Sequence, residues 1–180
     1  MGLRRSPSPR PEAPRLPPAV IRINRMSEYA DLLHWSPHVI SHDDRGYPTA
    51  SHLYEAAKFL PQYPEVAEAV RNAATCEEAV AFGERYREYW RPDWPKIQMS
   101  ILEDILLTKF FQYDDLRALL FSTGNADLVF FDEDVVFGDG LIGQGQNNLG
   151  RALMVVRQRL RAEFVNEARA ADEQLGHVPH

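Results

Sequence analysis

Helix start and stop signals follow one another between residues 49 and 122 and restrict this part of the chain to a series of separate helices. Thr49 is a capping residue ahead of a helical apolar pattern, and Pro61 ends that pattern. Thr75 and Glu78 form the signature of a capping box. The signals predict five helices, over residues 50–60, 64–73, 76–89, 95–111 and 114–122.

Short β-branched segments flank these helices and predict a few strands. The candidates are residues 19–23, 38–41 and 127–131, and residues 43–46 are typical of a turn. A last helix begins near Asn147, and its inward-facing residues are Leu149, Leu153, Val156 and Leu160. The pattern predicts a predominantly helical α+β fold, in one compact domain with a few short strands.

Composition changes divide the chain into three parts. Residues 1–18 contain six prolines and several arginines and predict a disordered tail. Residues 19–164 carry the apolar periodicity and predict the folded domain. Residues 165–180 are polar and alanine-rich, which indicates a helical extension or a tail.

Charge and cysteine content limit the partners and the compartment. The net charge of −6 argues against general nucleic-acid binding, although a small phosphorylated ligand in a local pocket stays compatible with it. Cys76 is the single cysteine, so the chain forms no internal disulfide, and its acidic neighbours favour a structural role over a nucleophilic one. No apolar run is long enough for a membrane span. We expect a soluble intracellular protein in the cytoplasm, and a nuclear location is also compatible.

A glycine-rich segment precedes the last helix, with glycines at positions 138, 140, 143 and 145. Glycines before a helix N-terminus let backbone N–H groups approach a phosphate closely, although such segments are also often simple turns. The spacing matches neither a Walker loop nor a dinucleotide fingerprint. Phosphate binding and a plain turn therefore remain as alternatives.

Asp139 lies within this segment, close to Phe137. A carboxylate beside an aromatic ring suits the cleavage of a bond between ribose and a base, because the transition state is positively charged and the base can stack on the ring. The alternative for Asp139 is a turn residue bonded to its own backbone.

No metal site is expected, and no cofactor. His34, His38 and His42 are spaced by four residues, but Pro37 and the strand-like residues after it interrupt any helix that would align them.

The glycine-rich segment resembles the pattern of the NADAR (NAD- and ADP-ribose-associated) family, in which an aromatic residue and a tryptophan precede Gly-x-Gly, spaced glycines, an asparagine and Leu-Gly. Other blocks agree with the family in order and spacing, and the resemblance covers roughly residues 20–162. These blocks are residues 36–38, 47–59, 91–94, 109–110, 116–120, 123–124 and 128–129.

This resemblance implies a compact α+β fold that cleaves N-glycosidic bonds without a metal or redox cofactor. The family's substrates include phosphoribosyl intermediates of riboflavin synthesis and ADP-ribosylated guanine. The implied partner is therefore a small nucleotide or ADP-ribosyl substrate. Nothing in the sequence indicates an oligomeric state.

The chain departs from the family pattern at its expected catalytic glutamate, which falls on Ser51. Glu55 lies one helical turn further along the same face, where the family usually has glutamine. The family's loop tryptophan falls on Phe137. Two hypotheses follow. In the first, the chain is an active N-glycosyl hydrolase in which Glu55 replaces the family's glutamate; in the second, it is an inactive module that binds ADP-ribose or another nucleotide.

The first hypothesis assigns specific roles to residues that match the family pattern. Glu55, Asp139 and Ser51 occupy the catalytic positions, with Glu55 as the substitute acid and base. The substrate-binding residues would be His52, Lys58, Trp94, Phe137, Gly138, Gly140, Gly143, Gly145 and Asn147.

Overall fold

Two pairs of short strands lie beside a group of helices in residues 19–175, the part of the chain that this computed structural model describes. Strand β1 (Val20–Ile23) pairs in parallel with β4 (Asp127–Phe130), so that Ile23 lies opposite Phe130. Strands β2 (Ile40–His42) and β3 (Arg45–Tyr47) form an antiparallel hairpin.

The helices account for most of the described residues, which confirms the predominantly helical α+β prediction. They are α1 (Ala50–Ala57), α2 (Pro64–Arg71), α3 (Cys76–Arg85), α4 (Trp94–Gln112), α5 (Asp114–Ser122) and α6 (Asn148–Leu175). Helices α1 and α3 end three and four residues earlier than predicted. Helix α6 continues past the predicted domain boundary at residue 164. The predicted N-terminal tail, residues 1–18, lies outside the described residues.

The predicted caps start two of the helices. Thr49 Oγ1 accepts a hydrogen bond from the His52 amide and caps α1. Thr75 Oγ1 accepts one from the Glu78 amide and caps α3. The Glu78 carboxylate reaches back to the Ala74 amide, one residue before the usual capping-box donor.

The predicted turn over residues 43–46 was too long. Only Asp43 and Asp44 form the turn, with φ angles of 49° and 59°. Two consecutive residues with positive φ match the right-handed twist of a tight hairpin. Arg45 therefore already belongs to β3, a strand that the sequence pattern did not predict.

Helices α4 and α6 pack against each other and form much of the core. The predicted inward stripe of α6 is confirmed, because Leu149, Leu153, Val156 and Leu160 are fully buried. Helix α4 buries Leu102, Leu106 and Phe110. No helix in residues 19–175 is both long and apolar enough to span a bilayer.

Lys109 is fully buried on the same side of α4 and holds the segment that follows β1. Its Nζ donates to the Asp31 carbonyl at 2.7 Å, the Leu33 carbonyl at 2.8 Å and Ser36 Oγ at 2.6 Å. Burial lowers the pKa of Lys109 to about 7. Three acceptors from one short segment compensate an ammonium group that water does not reach.

Replacing Lys109 with methionine would fill the same space but leave these acceptors without their donor. We expect Lys109→Met to lower the free energy of unfolding by about 2 kcal/mol, because unpaired buried polar groups keep their desolvation cost. Urea unfolding measures the change. The control is Lys96→Met, at an exposed position of the same helix. Equal stability of the two variants would contradict this account of Lys109.

Candidate active site

A cleft of about 780 Å³ opens beside α1 and α3, a volume typical of small-molecule sites. Four parts of the chain line it besides α1: the segment after β1, helix α3 with the residues that follow it, the start of α4, and residues 134–137. The lining residues outside α1 are Arg25, His34, Trp35, Cys76, Glu77, Val80, Ala81, Glu84, Arg87, Trp90, Trp94, Pro95, Gln98, Asp134, Val136 and Phe137.

One face of α1 supplies the floor of the cleft. Ser51, Tyr54, Glu55 and Lys58 follow one another at spacings of three, one and three residues, which places them on the same side of a helix. All four are buried in the fold. Three of them are residues that the sequence singled out.

Glu55 and Lys58 form a buried ion pair on this floor. Lys58 Nζ donates to Glu55 Oε2 at 2.6 Å, and the side chains are only 7% and 5% exposed for Lys58 and Glu55 respectively. The ammonium also lies 4.4 Å from the centre of the Trp90 ring. Burial raises the pKa of Glu55 above its ordinary value, and the charge and hydrogen bond of Lys58 act in the opposite direction.

Gly83 of α3 makes room for this carboxylate. A Cβ at Gly83 would overlap Glu55 Oε2, so any larger residue would displace the carboxylate. The Gly83 carbonyl accepts a hydrogen bond from Trp90 Nε1 at 2.8 Å. Helix α3 and Trp90 thereby enclose the ion pair from the side opposite α1.

Aromatic rings form the wall next to the ion pair. The His34 ring stacks on Phe137 with centres 5.1 Å apart and an angle of 16°. Tyr54 contacts Phe137 and Trp94 edge to face, at 5.5 and 5.0 Å. Burial lowers the pKa of His34 to about 3, and the charge of Lys109 acts in the same direction. His34 is therefore a neutral ring. Together with Phe137 it forms an uncharged surface that suits a planar, uncharged part of a ligand.

Two arginines stand at the more exposed part of the cleft, each between a tryptophan and a glutamate. Arg25 lies 4.5 Å from the Trp35 ring and 3.6 Å from Glu77. Arg87 lies 4.9 Å from the Trp90 ring and 3.4 Å from Glu84. The basic side chains of the cleft are thus all paired with acidic ones.

Residues 24–161 match the family model of the NADAR domain. The N-glycosidase YbiA of Escherichia coli is 33% identical over 137 residues, which cover 76% of this chain and 84% of that protein. An N-glycosidase of Nostoc punctiforme is 34% identical over 135 residues, or 74% and 86% of the two chains. The NMR structure of the E. coli protein YbiA is similar with a TM-score of 0.75 at 30% identity, over 84% of this chain and 90% of that one.

The chain belongs to the NADAR domain family. The resemblance in the sequence motifs is therefore confirmed, and so is the fold that it implied. Every residue that lines the cleft falls within the range that matches the NADAR model. The described cleft therefore lies within the part of the chain that matches the family model.

The glycines of the NADAR-like loop do not line the cleft, and their N–H groups are already used within the loop. Each donates to a carbonyl of the same loop or of the preceding turn. The bonds run from Gly138 to Asp134 at 3.0 Å, from Gly140 to Asp132 at 3.0 Å, from Gly143 to Gly140 at 3.4 Å and from Gly145 to Asp139 at 2.7 Å. Gly140 and Gly143 have positive φ angles of 71° and 75°. The structure thus corresponds to the turn alternative for this loop and leaves no free glycine N–H for a phosphate.

Asp139 and Asn147 also lie outside the lining of the cleft. Asp139 pairs with Arg22 at 3.1 Å, while its other carboxylate oxygen has no partner among the described residues. Asn147 bridges two positions of β4, because it accepts from the Phe130 amide and donates to the Leu128 carbonyl, both at 2.9 Å. These contacts fix the loop against the strand pair and aim Phe137 at the cleft.

His52 does not line the cleft. Its ring bonds Thr49 Oγ1 at 2.9 Å and the Ala73 carbonyl at 3.3 Å, and it is almost fully buried. Ser51 does face the cleft, and its amide donates to the His34 carbonyl at 2.8 Å. Cys76 borders the cleft as a half-buried side chain beside Thr49.

The three histidines considered for a metal site are separated in the fold. His34 stacks on Phe137, His38 bonds Ser36 and packs on Tyr113, and His42 is exposed at the hairpin. Within residues 19–175 no cluster of three or more histidine, cysteine or acidic side chains is suited to a metal ion.

Sequence reasoning missed Tyr54 and Glu84, which line the cleft, and Gly83, which packs against the Glu55 carboxylate. Tyr54 was detectable, since it shares the helical face of Ser51 and Glu55. Gly83 and Glu84 belong to a helix with no motif of its own, and only the packing of α3 on α1 brings them to the site.

The electrostatic balance of the ion pair predicts how Glu55 titrates. Lys58→Met removes the two effects that lower the pKa of Glu55, so we expect that pKa to rise further above its ordinary value. Because the pKa of Glu55 is raised in the folded state, its contribution to stability is fully present below the unfolded-state pKa. This contribution is lost as the pH rises through the folded-state pKa, and the variant widens the pH range between the two values. Carboxyl ¹³C NMR titration measures the pKa directly. Lys96→Met serves as the control, and an unchanged or lower pKa in Lys58→Met would show that the pair is not formed.

Proposed function

We propose that this NADAR domain is an N-glycosidase that cleaves the bond between a ribose and a nucleobase-like group. The substrate would carry phosphoribose or ADP-ribose. The observation that carries the proposal is the Glu55–Lys58 pair, buried on the floor of an aromatic cleft in a chain whose relatives are named N-glycosidases.

Glu55 would act as the general acid. Burial raises its pKa above the ordinary value, which favours the protonated form that a general acid needs, while the charge and hydrogen bond of Lys58 act in the opposite direction. Lys58 holds Oε2, which fixes the orientation of the carboxyl group. The proton passes to the nitrogen of the leaving base as the bond to C1′ breaks.

Aromatic side chains would bind the base. Phe137 takes the place of the family's loop tryptophan, and its stack on His34 keeps the ring in position. Tyr54 and Trp94 continue the same wall. Stacking on such rings is compatible with several bases, and it gains from the exclusion of water.

Ser51 would occupy the position of the family's catalytic glutamate. Its short side chain leaves room in the cleft directly beside Glu55, one helical turn away. We propose that the carboxylate has moved by this one turn, with Ser51 contacting substrate or water. Asp139, His52, Asn147 and the four loop glycines then act indirectly, because they shape the walls of the cleft.

A base-release assay tests this function. Phosphoribosylated pyrimidines, ADP-ribose, NAD and ADP-ribosylated guanine are offered to the full chain, and the free base is quantified by chromatography. We expect release from at least one substrate and a loss of about 100-fold or more in Glu55→Gln, the usual scale for a general acid.

The matched control is Glu88→Gln, an exposed position outside the cleft, which should retain wild-type turnover. Binding of these compounds without any release of base would instead indicate an inactive nucleotide-binding module. Undiminished release by Glu55→Gln would exclude Glu55 as the acid.

A further inference from the structure

Cleavage of an N-glycosidic bond benefits from a second carboxylate, one that activates water or stabilises the developing cation. The sequence assigned this part to Asp139, which lies outside the cleft and pairs with Arg22. We propose that Glu84 on α3 is the second catalytic carboxylate and accepts the proton of the attacking water. This inference rests on the proposed N-glycosidase function and adds a catalytic residue to it.

The packing of α3 on α1 brings Glu84 close to the general acid. Its neighbour Gly83 approaches Glu55 so closely that a Cβ there would overlap Oε2. Since consecutive Cα atoms lie 3.8 Å apart, the Glu84 Cα is within roughly 8 Å of that oxygen. Glu84 also lines the same cleft. The two carboxyl groups therefore border one volume from different helices.

Two further acidic residues line the cleft, and neither is placed as Glu84 is. Asp134 Oδ1 accepts the amides of Val136 and Phe137, at 2.7 and 3.0 Å, and so forms the turn before the aromatic wall. Glu77 is as loosely paired as Glu84, with Arg25 at 3.6 Å and a side chain that is 70% exposed. It lies in the first turn of α3, six residues and about 9 Å along the helix axis before Gly83, and so further from Glu55.

Glu84 lies beside Gly83 and has one long contact, to an exposed arginine. Its carboxylate lies 3.4 Å from Arg87 Nη1, and half of the glutamate side chain is exposed. An exposed ion pair of this length is worth little and exchanges readily with water. Glu84 is thus the cleft carboxylate that is both close to Glu55 and has oxygen atoms available for a water molecule.

The two glutamates lie in different surroundings, which suit one of them as the acid and the other as the base. Glu55 is buried, which favours its protonated form, and the negative charge of Glu84 adds to this effect. Glu84 stays hydrated and is suited to accept a proton. Two carboxyl groups whose environments differ in this way form an acid and a base in one site.

The reaction balances with one water molecule. The bond between C1′ and the base nitrogen breaks, and the Glu55 proton goes to that nitrogen. The water oxygen bonds to C1′, and its proton goes to Glu84. Release of this proton to solvent and uptake of one by Glu55 restore both groups, and the products are the free base and the sugar with a hydroxyl at C1′.

The test uses the full chain and the substrate that the wild type cleaves fastest. We expect Glu84→Gln to lower kcat by about 100-fold with little change in KM, since the residue acts on water. The limb of the pH profile on the acidic side should disappear, while the basic limb that reports Glu55 remains. In Glu84→Ala, added azide should restore base release and yield a glycosyl azide, because azide attacks without a base.

Controls separate this inference from the function on which it rests. Glu88→Gln should behave as the wild type. If the wild type releases base and Glu84→Gln releases it equally fast, the role of Glu84 is overturned and the proposed function stands. A folded but inactive Glu84→Ala that azide does not rescue leads to the same conclusion. A loss in Glu77→Gln that exceeds the loss in Glu84→Gln assigns the role to Glu77 and overturns the proposal. A wild type that cleaves none of the substrates overturns the proposed function itself.

Discussion

Glu55 and Lys58 place two charges where water hardly reaches them, and the rest of the cleft is arranged to make that burial tolerable. Isolated charges in such surroundings are strongly destabilising, whereas a short, well-oriented pair recovers much of the cost. The pair needs Gly83 on one side, because a side chain there would occupy the space of the carboxylate. It also needs Trp90, because the ring offers its face to the ammonium.

A second buried lysine supports the aromatic wall. Lys109 binds the segment over residues 31–36 through three acceptors, and this segment carries His34, which stacks on Phe137. Asn147 fixes the other end of the wall by bridging β4. The sequence associated the glycine loop with ligand binding. In the structure, this loop holds Phe137 in its position at the cleft.

Local signals in the sequence were sufficient for most of the secondary structure. Thr49 and Thr75 cap helices, Pro64 begins one, and the stripe from Leu149 to Leu160 faces the core, because these features depend on neighbours within a few residues. Strand β3 escaped prediction, since its three residues gain their partner only through the tight turn.

The candidate site was predictable where it depends on one helix and unpredictable where it depends on packing. Ser51, Glu55 and Lys58 share a face of α1, and the spacing alone shows it. His52 could not be excluded in this way, because its partner Ala73 comes from a distant segment. The same holds for Glu84, whose proximity to Glu55 arises from the contact between α1 and α3.

The central claim is that a carboxylate one helical turn after the family position performs the work of the missing glutamate. The most direct measurement compares base release by the wild type, Glu55→Gln and the double variant Ser51→Glu/Glu55→Gln, which returns the carboxylate to the family position. A relocated carboxylate predicts that the single variant loses turnover and that the double variant regains a substantial part of it. Full turnover by Glu55→Gln alone would contradict the claim.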